Sequence, residues 1–179
     1  GCFVIPNPWN RGSAVALASM GFRALATSSA ALAYDLGRPE SPDALDLDTT
    51  LTNVREIVQA TSLPVNADFQ AGYGNAPSDV AASVKRCVST GVAGLSIEDA
   101  TANADQPLYE ASEALERVKA ARTAIDESGL DVVLTARCEA FLVGHPKPLE
   151  TALPRLVAFA EAGADCLFAP GLRTPDQIK

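Results

Sequence analysis

Short apolar runs alternate with longer amphipathic or alanine-rich segments along most of the chain. The apolar runs are four to six residues long and continuous rather than alternating. That pattern is typical of strands covered on both faces, as in a parallel sheet. We predict six strands, near residues 2–6, 23–27, 64–68, 93–98, 131–137 and 164–168.

A glycine separates an amphipathic segment from the next apolar run at four places, which is typical of a helix ended by a left-handed cap. These glycines are Gly21, Gly91, Gly129 and Gly163. Helices are predicted near residues 12–20, 48–61, 77–90, 111–128 and 148–162. Pro77 and Pro148 suit first helical turns, and Thr174 begins a capping box for a sixth helix.

The βα units recur every ~30–40 residues, which predicts a parallel sheet and favours a (β/α)₈ TIM barrel. An open doubly wound sheet is the alternative. A full barrel typically needs ~250 residues, whereas this chain has 179. We therefore expect one barrel domain over residues 1–179, with about six βα units and the C-terminal strands missing.

Composition narrows the class of protein. The chain is 47% hydrophobic and 20% charged, with a formal charge of −8, so a nucleic-acid or anionic membrane surface is disfavoured. No run of 18 apolar residues and no signal segment is present, and we expect a cytoplasmic protein. Four widely spaced cysteines predict reduced thiols, and the single His145 excludes a histidine-rich metal site.

Polar residues follow the predicted strands, at the rim where barrel enzymes build their active sites. Asp68, Glu98 and Gln70 offer oxygen ligands from neighbouring strands, which suits Mg²⁺. Arg137 suits a carboxylate or phosphonate of a substrate. The segment Thr27-Ser28-Ser29 offers donors that could hold an oxyanion.

Each of these positions also has a structural interpretation. An acidic residue after a strand is often a helix cap, and Arg137 could form a rim salt bridge with Glu98 or Glu139. Cys138 could be an activated thiol, although no nearby histidine supports that role. The polar stretch 101–109 could be a mobile lid.

The sequence resembles the isocitrate lyase/phosphoenolpyruvate mutase superfamily along nearly its whole length. The segments that carry the resemblance are FVIPNPW, LATSSAALAYDLGRP, DFQAGYGNAP, GVAGLSIEDA, VLTARCEAFL and EAGADCLFAPGL. The resemblance implies a (β/α)₈ barrel, usually a homotetramer. It also implies Mg²⁺, with Mn²⁺ as an alternative, and cleavage or formation of C–C or P–C bonds next to a 2-oxo acid through an enolpyruvate-like species.

The resemblance also assigns roles by position. Asp68 matches the direct metal ligand, Gln70 stands where a second carboxylate is normal, and Glu98 matches the acid that holds the metal through water. The substrate cradle corresponds to Thr27, Ser28 and Ser29, the substrate-binding arginine to Arg137, and an aspartate near the reacting centre to Glu40. The catalytic set implied by the resemblance is Arg137, Glu40 and Asp68.

Departures from the family pattern restrict the reaction. The lyases carry Lys-(Lys/Arg)-Cys-Gly-His after the strand that holds Glu98, whereas this chain reads ATANADQPLY. Pro170 replaces a glutamate, and Asn10 and Gln70 replace acids. We expect a Mg²⁺-dependent lyase, decarboxylase or mutase acting on a small 2-oxo acid or phosphonate. The alternative is a weakened barrel that binds a small carboxylic acid without turnover.

Overall fold

The computed structural model of the chain describes residues 2–41 and 43–178. The helices in this part of the chain are α1 (Arg11–Ser19), α2 (Ser29–Asp35), α3 (Leu47–Ala60), α4 (Pro77–Val88), α5 (Ala111–Ser128), α6 (Pro148–Glu161) and α7 (Pro175–Ile178). The strands are β1 (Leu25–Ala26), β2 (Val65–Asp68), β3 (Gly94–Glu98), β4 (Val133–Arg137) and β5 (Cys166–Phe168). No helix in the described ranges is both long and apolar enough to cross a membrane.

The five strands form one parallel sheet in chain order, β1-β2-β3-β4-β5. Each strand therefore pairs with the next one along the chain, as in a (β/α)₈ barrel, and the order never reverses as in a doubly wound sheet. The register places Asp68 opposite Ser96 and Glu98 opposite Arg137. The carboxyl ends of β2, β3 and β4 thus meet at one rim.

The predicted first strand at residues 2–6 is wrong, and the structure shows five strands rather than six in the part that it describes. Ala26 N donates to Pro6 O at 3.1 Å. Proline has no N–H to return such a bond, and Phe3, Val4 and Ile5 are exposed rather than packed. The other predicted strands and helices are present with small shifts at their ends.

Helix α2 is not among the helices predicted from the sequence. Ser28 caps this helix, because its Oγ accepts from Ala31 N at 3.2 Å. The helix has only seven residues, so too few turns are present to show a clear helical period. It matters for the site because it fixes the backbone directly after β1.

The main core lies between the central strands and α4 and α5. Leu95, Ile97 and Leu134 are buried in it, and Val80 and Ala121 are among the helix residues that cover them. A smaller cluster packs α1 and α3 against β1 and β2, through Ala14, Leu25, Ile57 and Val65. The sheet is covered most completely around β3, which holds the rim of the site in place.

Leu134→Ala should lower the free energy of unfolding by about 3 kcal/mol, because Leu134 is 0% exposed and its loss leaves a cavity. Leu153→Ala makes the same chemical change at a position that is 55% exposed and should change stability by less than about 0.5 kcal/mol. Urea unfolding of both variants measures the difference. Equal losses would contradict the assignment of the core.

Candidate active site

Arg137, the last residue of β4, binds three carboxylates at the rim of the sheet. Its Nη1 donates to Asp68 Oδ1 at 3.0 Å, and its Nη2 lies 3.2 Å from Glu98 Oε2. Its Nε donates to Glu139 Oε1 at 2.9 Å, and Nη2 lies 2.7 Å from the same oxygen. The ring of Phe168 lies beneath the guanidinium group, 5.4 Å away. One cation therefore connects the ends of β2, β3 and β4.

Asp68 is held on its other side by the segment that follows β1. Ser29 donates to Asp68 Oδ2 through its backbone N–H at 2.8 Å and through Oγ at 2.9 Å. Asp68 N donates to Thr27 Oγ1 at 2.9 Å. Asp68 Oδ2 thus accepts two hydrogen bonds and Oδ1 accepts one from Arg137, so the lone pair left for a further partner is on Oδ1.

The predicted cradle Thr27-Ser28-Ser29 divides into three different tasks. Thr27 is buried and supports the backbone of Asp68, Ser28 caps α2, and Ser29 binds the Asp68 carboxylate. The structure therefore places this segment beside Asp68. The two Ser29 donors, however, are directed to Asp68, and the hydroxyl oxygens of Thr27 and Ser28 accept from backbone N–H groups.

The negative charges at this rim outnumber the positive one. Burial, partly offset by Arg137 and reinforced by the neighbouring acids, raises the pKa of Glu98 to about 8. Burial likewise raises the pKa of Glu139. For Arg137, burial alone would lower the pKa, but the three carboxylates raise it. The cluster therefore has one cationic side chain for three acidic ones.

Gln70 lies on a strained turn directly after β2. Its φ is +47°, and that of Tyr73 is +52°, both in the left-handed region that disfavours residues other than glycine. Gln70 O accepts from Glu98 N at 3.0 Å, which ties this turn to β3. Gln70 also lines a cleft next to Glu98 and Arg137. Strain of this kind concentrates at functional sites.

Two cavities open at the rim and share Ser29, Ala30, Glu40 and Arg137. The inner cavity, of about 340 Å³, lies between the first residues and the strand ends and is also lined by Asp68. The outer cleft, of about 450 Å³, lies between the loops that follow β1, β2, β3 and β4. Together they have room for a small acid and the groups that would hold it.

Glu40 lies on the exposed loop between α2 and α3 and lines both cavities. Its Oε2 accepts from Tyr34 Oη at 3.1 Å. The residues predicted to act together are therefore brought together. Asp68, Glu98 and Arg137 are in direct contact, and Gln70, Ser29 and Glu40 surround them.

The donor set matches Mg²⁺ in chemistry. Carboxylate oxygens of Asp68 and Glu98 and the amide oxygen of Gln70 are hard ligands, and Mg²⁺ commonly takes one or two carboxylates with water and substrate oxygens. Among the described residues, no three His, Cys, Asp or Glu side chains are arranged to hold an ion by themselves. The surplus of negative charge favours a cation here, so the residues fit a metal that is completed by water or substrate.

The whole chain, residues 1–179, matches the family model described as phosphoenolpyruvate phosphomutase. The chain belongs to the isocitrate lyase/phosphoenolpyruvate mutase superfamily. The resemblance inferred from the sequence motifs is therefore confirmed. The superfamily barrel also accounts for the order of the parallel strands.

Individual superfamily members are similar over 80% to 99% of the chain. A lyase/mutase candidate from Burkholderia cenocepacia J2315 has a crystal structure with a TM-score of 0.95 at 44% identity, covering 99% of this chain and 63% of that one. Phosphonopyruvate hydrolase, crystallised with oxalate and Mg²⁺, gives 0.88 at 29% identity, covering 98% and 61%. Oxaloacetate decarboxylase of Rhodopseudomonas palustris (strain HaA2) is 34% identical over 150 residues, which are 80% of this chain and 49% of the relative. The chain thus spans about half the length of that curated superfamily relative.

The loop after β3, where superfamily lyases carry their cysteine and histidine, is a short hairpin in this chain. Ala100 and Leu108 form an isolated antiparallel bridge, and Thr101 N donates to Pro107 O at 2.9 Å. Leu108 is buried at its base. These bonds anchor both ends of the segment predicted as a mobile lid, and only its tip, residues 102–106, is exposed.

Cys138 and His145 take structural positions in this member of the superfamily. The Cys138 side chain is buried, and burial raises the pKa of its thiol to about 12, so it is not an activated nucleophile. His145 Nδ1 accepts from Lys147 N at 3.2 Å, at the start of α6. Neither residue lines the two cavities.

Glu139 and Asp99 contribute more to the site than was predicted from the sequence. Asp99 is buried, accepts from Glu139 N at 2.8 Å and pairs with Arg155 at 3.0 Å. This network fixes the turn that presents Glu139 to Arg137. The sequence signal for both residues was their position, because Asp99 is the first residue after β3 and Glu139 is the second residue after β4.

Arg137→Met should lower the free energy of unfolding by about 3 kcal/mol at pH 7, since it leaves largely buried carboxylates without their cation. Lys147→Met removes a cation from the exposed pair with Glu150 and should cost no more than about 0.5 kcal/mol. Urea unfolding compares them. An Arg137→Met protein as stable as the Lys147→Met control would show that the cluster needs no cation.

Proposed function

We propose that this chain carries the catalytic rim of a Mg²⁺-dependent lyase that acts on a small 2-oxo acid, with decarboxylation of oxaloacetate as the preferred reaction. The observation that carries the proposal is the convergence of Asp68, Glu98 and Arg137 beside the Ser29 donors. Oxaloacetate decarboxylase is among the relatives, which supports the choice of substrate. We further propose that the protein works as a homo-oligomer, a dimer or tetramer.

Asp68, Gln70 and, through water, Glu98 would hold the metal, whose positive charge would stabilise negative charge on the keto oxygen of the substrate. The crystal structure of phosphonopyruvate hydrolase with oxalate and Mg²⁺ supports this assignment. Mn²⁺ offers similar oxygen-ligand chemistry and is the alternative.

Arg137 would bind an acidic group of the substrate in place of one of its present carboxylate partners. Donors of the Thr27–Ser29 segment would hold a carboxylate or keto oxygen, and each good donor is worth about 3–4 kcal/mol in other systems. Glu40 lines both cavities, beside Ser29 and Arg137, and would face the reacting centre from the loop after α2.

Decarboxylation needs the fewest groups from the protein. The bond between C3 and the distal carboxylate breaks, CO₂ leaves, and the electron pair remains on the 2-oxo acid as an enolate. A proton from water then gives pyruvate. No positioned acid is needed for the leaving group, which fits a hairpin after β3 without cysteine or histidine. The alternative reaction at the same site is cleavage or transfer at the P–C bond of a phosphonopyruvate-type substrate.

A second candidate function is binding of a small carboxylic acid without turnover. Two observations favour it: Gln70 stands where a second acid is normal in the superfamily, and Arg137 is already engaged by three carboxylates. Each charge lost from a hard-cation site weakens metal binding.

Incubation of the complete protein with oxaloacetate and Mg²⁺ tests the first candidate. We expect pyruvate to form faster than with Mg²⁺ alone, and EDTA to abolish the difference. Arg137→Lys keeps the charge but loses bidentate geometry, and should lower kcat/KM by about tenfold or more. Pyruvate formation no faster than with Mg²⁺ alone, and unaffected by EDTA, would rule out a metal-dependent decarboxylase.

Gln70→Glu separates the two candidates. The added carboxylate should tighten Mg²⁺ by about tenfold, because a further negative hard ligand faces the ion, and titration calorimetry measures this. If the native protein has a negligible rate and Gln70→Glu raises both turnover and metal affinity, the native protein is a weakened enzyme. High turnover in the native protein would instead exclude the binding-only function.

A further inference from the structure

Arg117, on α5, is a buried cation that binds backbone rather than an acid. It is only 1% exposed. Its guanidinium group donates to the carbonyl oxygens of Ala71 at 2.6 Å, Gly74 at 2.8 Å and Asn75 at 3.1 Å. Among the described residues no carboxylate lies within ion-pair distance of it. A full positive charge is thus directed at one loop.

The loop that Arg117 binds is the strained turn after β2. Within four residues, Gln70, Gly72 and Tyr73 all have positive φ, at +47°, +87° and +52°. A conformation with two such non-glycine residues persists only where its surroundings over-determine it. Three of the five carbonyls in residues 71–75 accept from Arg117, so this side chain supplies much of that constraint.

Arg117 also contacts the second loop that borders the outer cleft. The ring of Tyr109 lies 4.2 Å from its guanidinium carbon, a cation–π contact. Tyr109 N donates to Asp99 O at 2.9 Å, directly beside the base of the hairpin after β3. One side chain therefore touches the turn that carries Gln70 and the end of the hairpin.

The cost of burying this charge points to a role beyond packing. Desolvation penalises a buried guanidinium group and lowers the pKa of Arg117. An apolar side chain of similar length would fill the same space without that penalty. Only a planar group with several donors can bind three carbonyls while stacking on an aromatic ring.

We propose that Arg117 is a positioning residue that joins the 70–75 turn to the 100–109 hairpin and thereby fixes Gln70 at the cleft. The consequence for turnover rests on the proposed function. The consequence for the two loops does not depend on the proposed function. The positioning role of Arg117 and the proposed function can therefore fail separately.

Hydrogen exchange of the complete protein tests the structural part. In Arg117→Lys and Arg117→Met, amides of residues 71–76 and 100–109 should exchange about tenfold faster or more, while α1 and α3 are unchanged. The effect should be larger for Met, since Lys keeps the charge and some donors. Arg122→Met is the matched control on the same helix, because Arg122 pairs with Asp126 and Asp165 away from the cleft.

Three outcomes would overturn the proposal. Unchanged exchange of both loops in a folded Arg117→Lys or Arg117→Met protein is the first. Faster exchange confined to one of the two loops is the second, because it removes the coupling. Equal acceleration in Arg122→Met at matched stability is the third, because the effect would then be general loosening of α5.

Kinetics with oxaloacetate and Mg²⁺ distinguish positioning from structural support. Arg137 and the Thr27–Ser29 segment do not contact Arg117, so Arg117→Lys should change KM less than twofold while kcat falls about tenfold through misplacement near the reacting centre. A raised KM with unchanged kcat would overturn the role. If the wild-type protein forms no pyruvate, the proposed function fails, and hydrogen exchange still decides the role of Arg117.

Discussion

The ion cluster around Arg137 is the interaction on which the rest of the site depends. Acids from the ends of β2 and β3 and from the turn after β4 share one guanidinium group. With all three ionised, two negative charges remain uncompensated. Burial, and after it the neighbouring acids, raise the pKa of Glu98 to about 8. The cluster thus contains more acidic groups than cationic ones.

The sheet register explains why these groups meet. Glu98 is directly opposite Arg137, and Asp68 ends the neighbouring strand on the other side. Burial of the apolar strand interiors therefore fixes the distances between polar residues that follow them. For this reason the apolar pattern alone, by locating the strand ends, identifies Asp68, Glu98 and Arg137 as neighbours. The roles that we propose for Gln70 and Glu40 come from the superfamily motifs and not from the apolar pattern.

Other features of the site could not be predicted from the sequence in the same way. The Ser29 bonds to Asp68 depend on the start of α2, a helix too short for its period to be visible. In the sequence, Arg117 is one of several charged residues in the helix predicted at 111–128. Only the tertiary structure brings its side chain to the carbonyl oxygens of the 71–75 loop. Residues 2–6 have the composition of a strand, but in the described part of the chain the bond from Ala26 N to Pro6 O is not continued into a ladder. In each case the presence or absence of contacts distant in sequence decided the outcome.

The missing carboxylate at position 70 weakens the site only if the metal ligands are considered without the rest of the charged cluster. If Asp68, Glu98 and Glu139 are ionised beside Arg137, a divalent cation would bring the cluster to neutrality. A carboxylate at position 70 would restore a surplus negative charge before the substrate arrives, and a dianionic 2-oxo acid would then meet repulsion in a site of low dielectric constant. A neutral amide oxygen can still approach the ion without that penalty. Under the proposed function, Glu139 would therefore supply the charge that position 70 lacks, and the site would give up some metal affinity to admit a doubly charged acid.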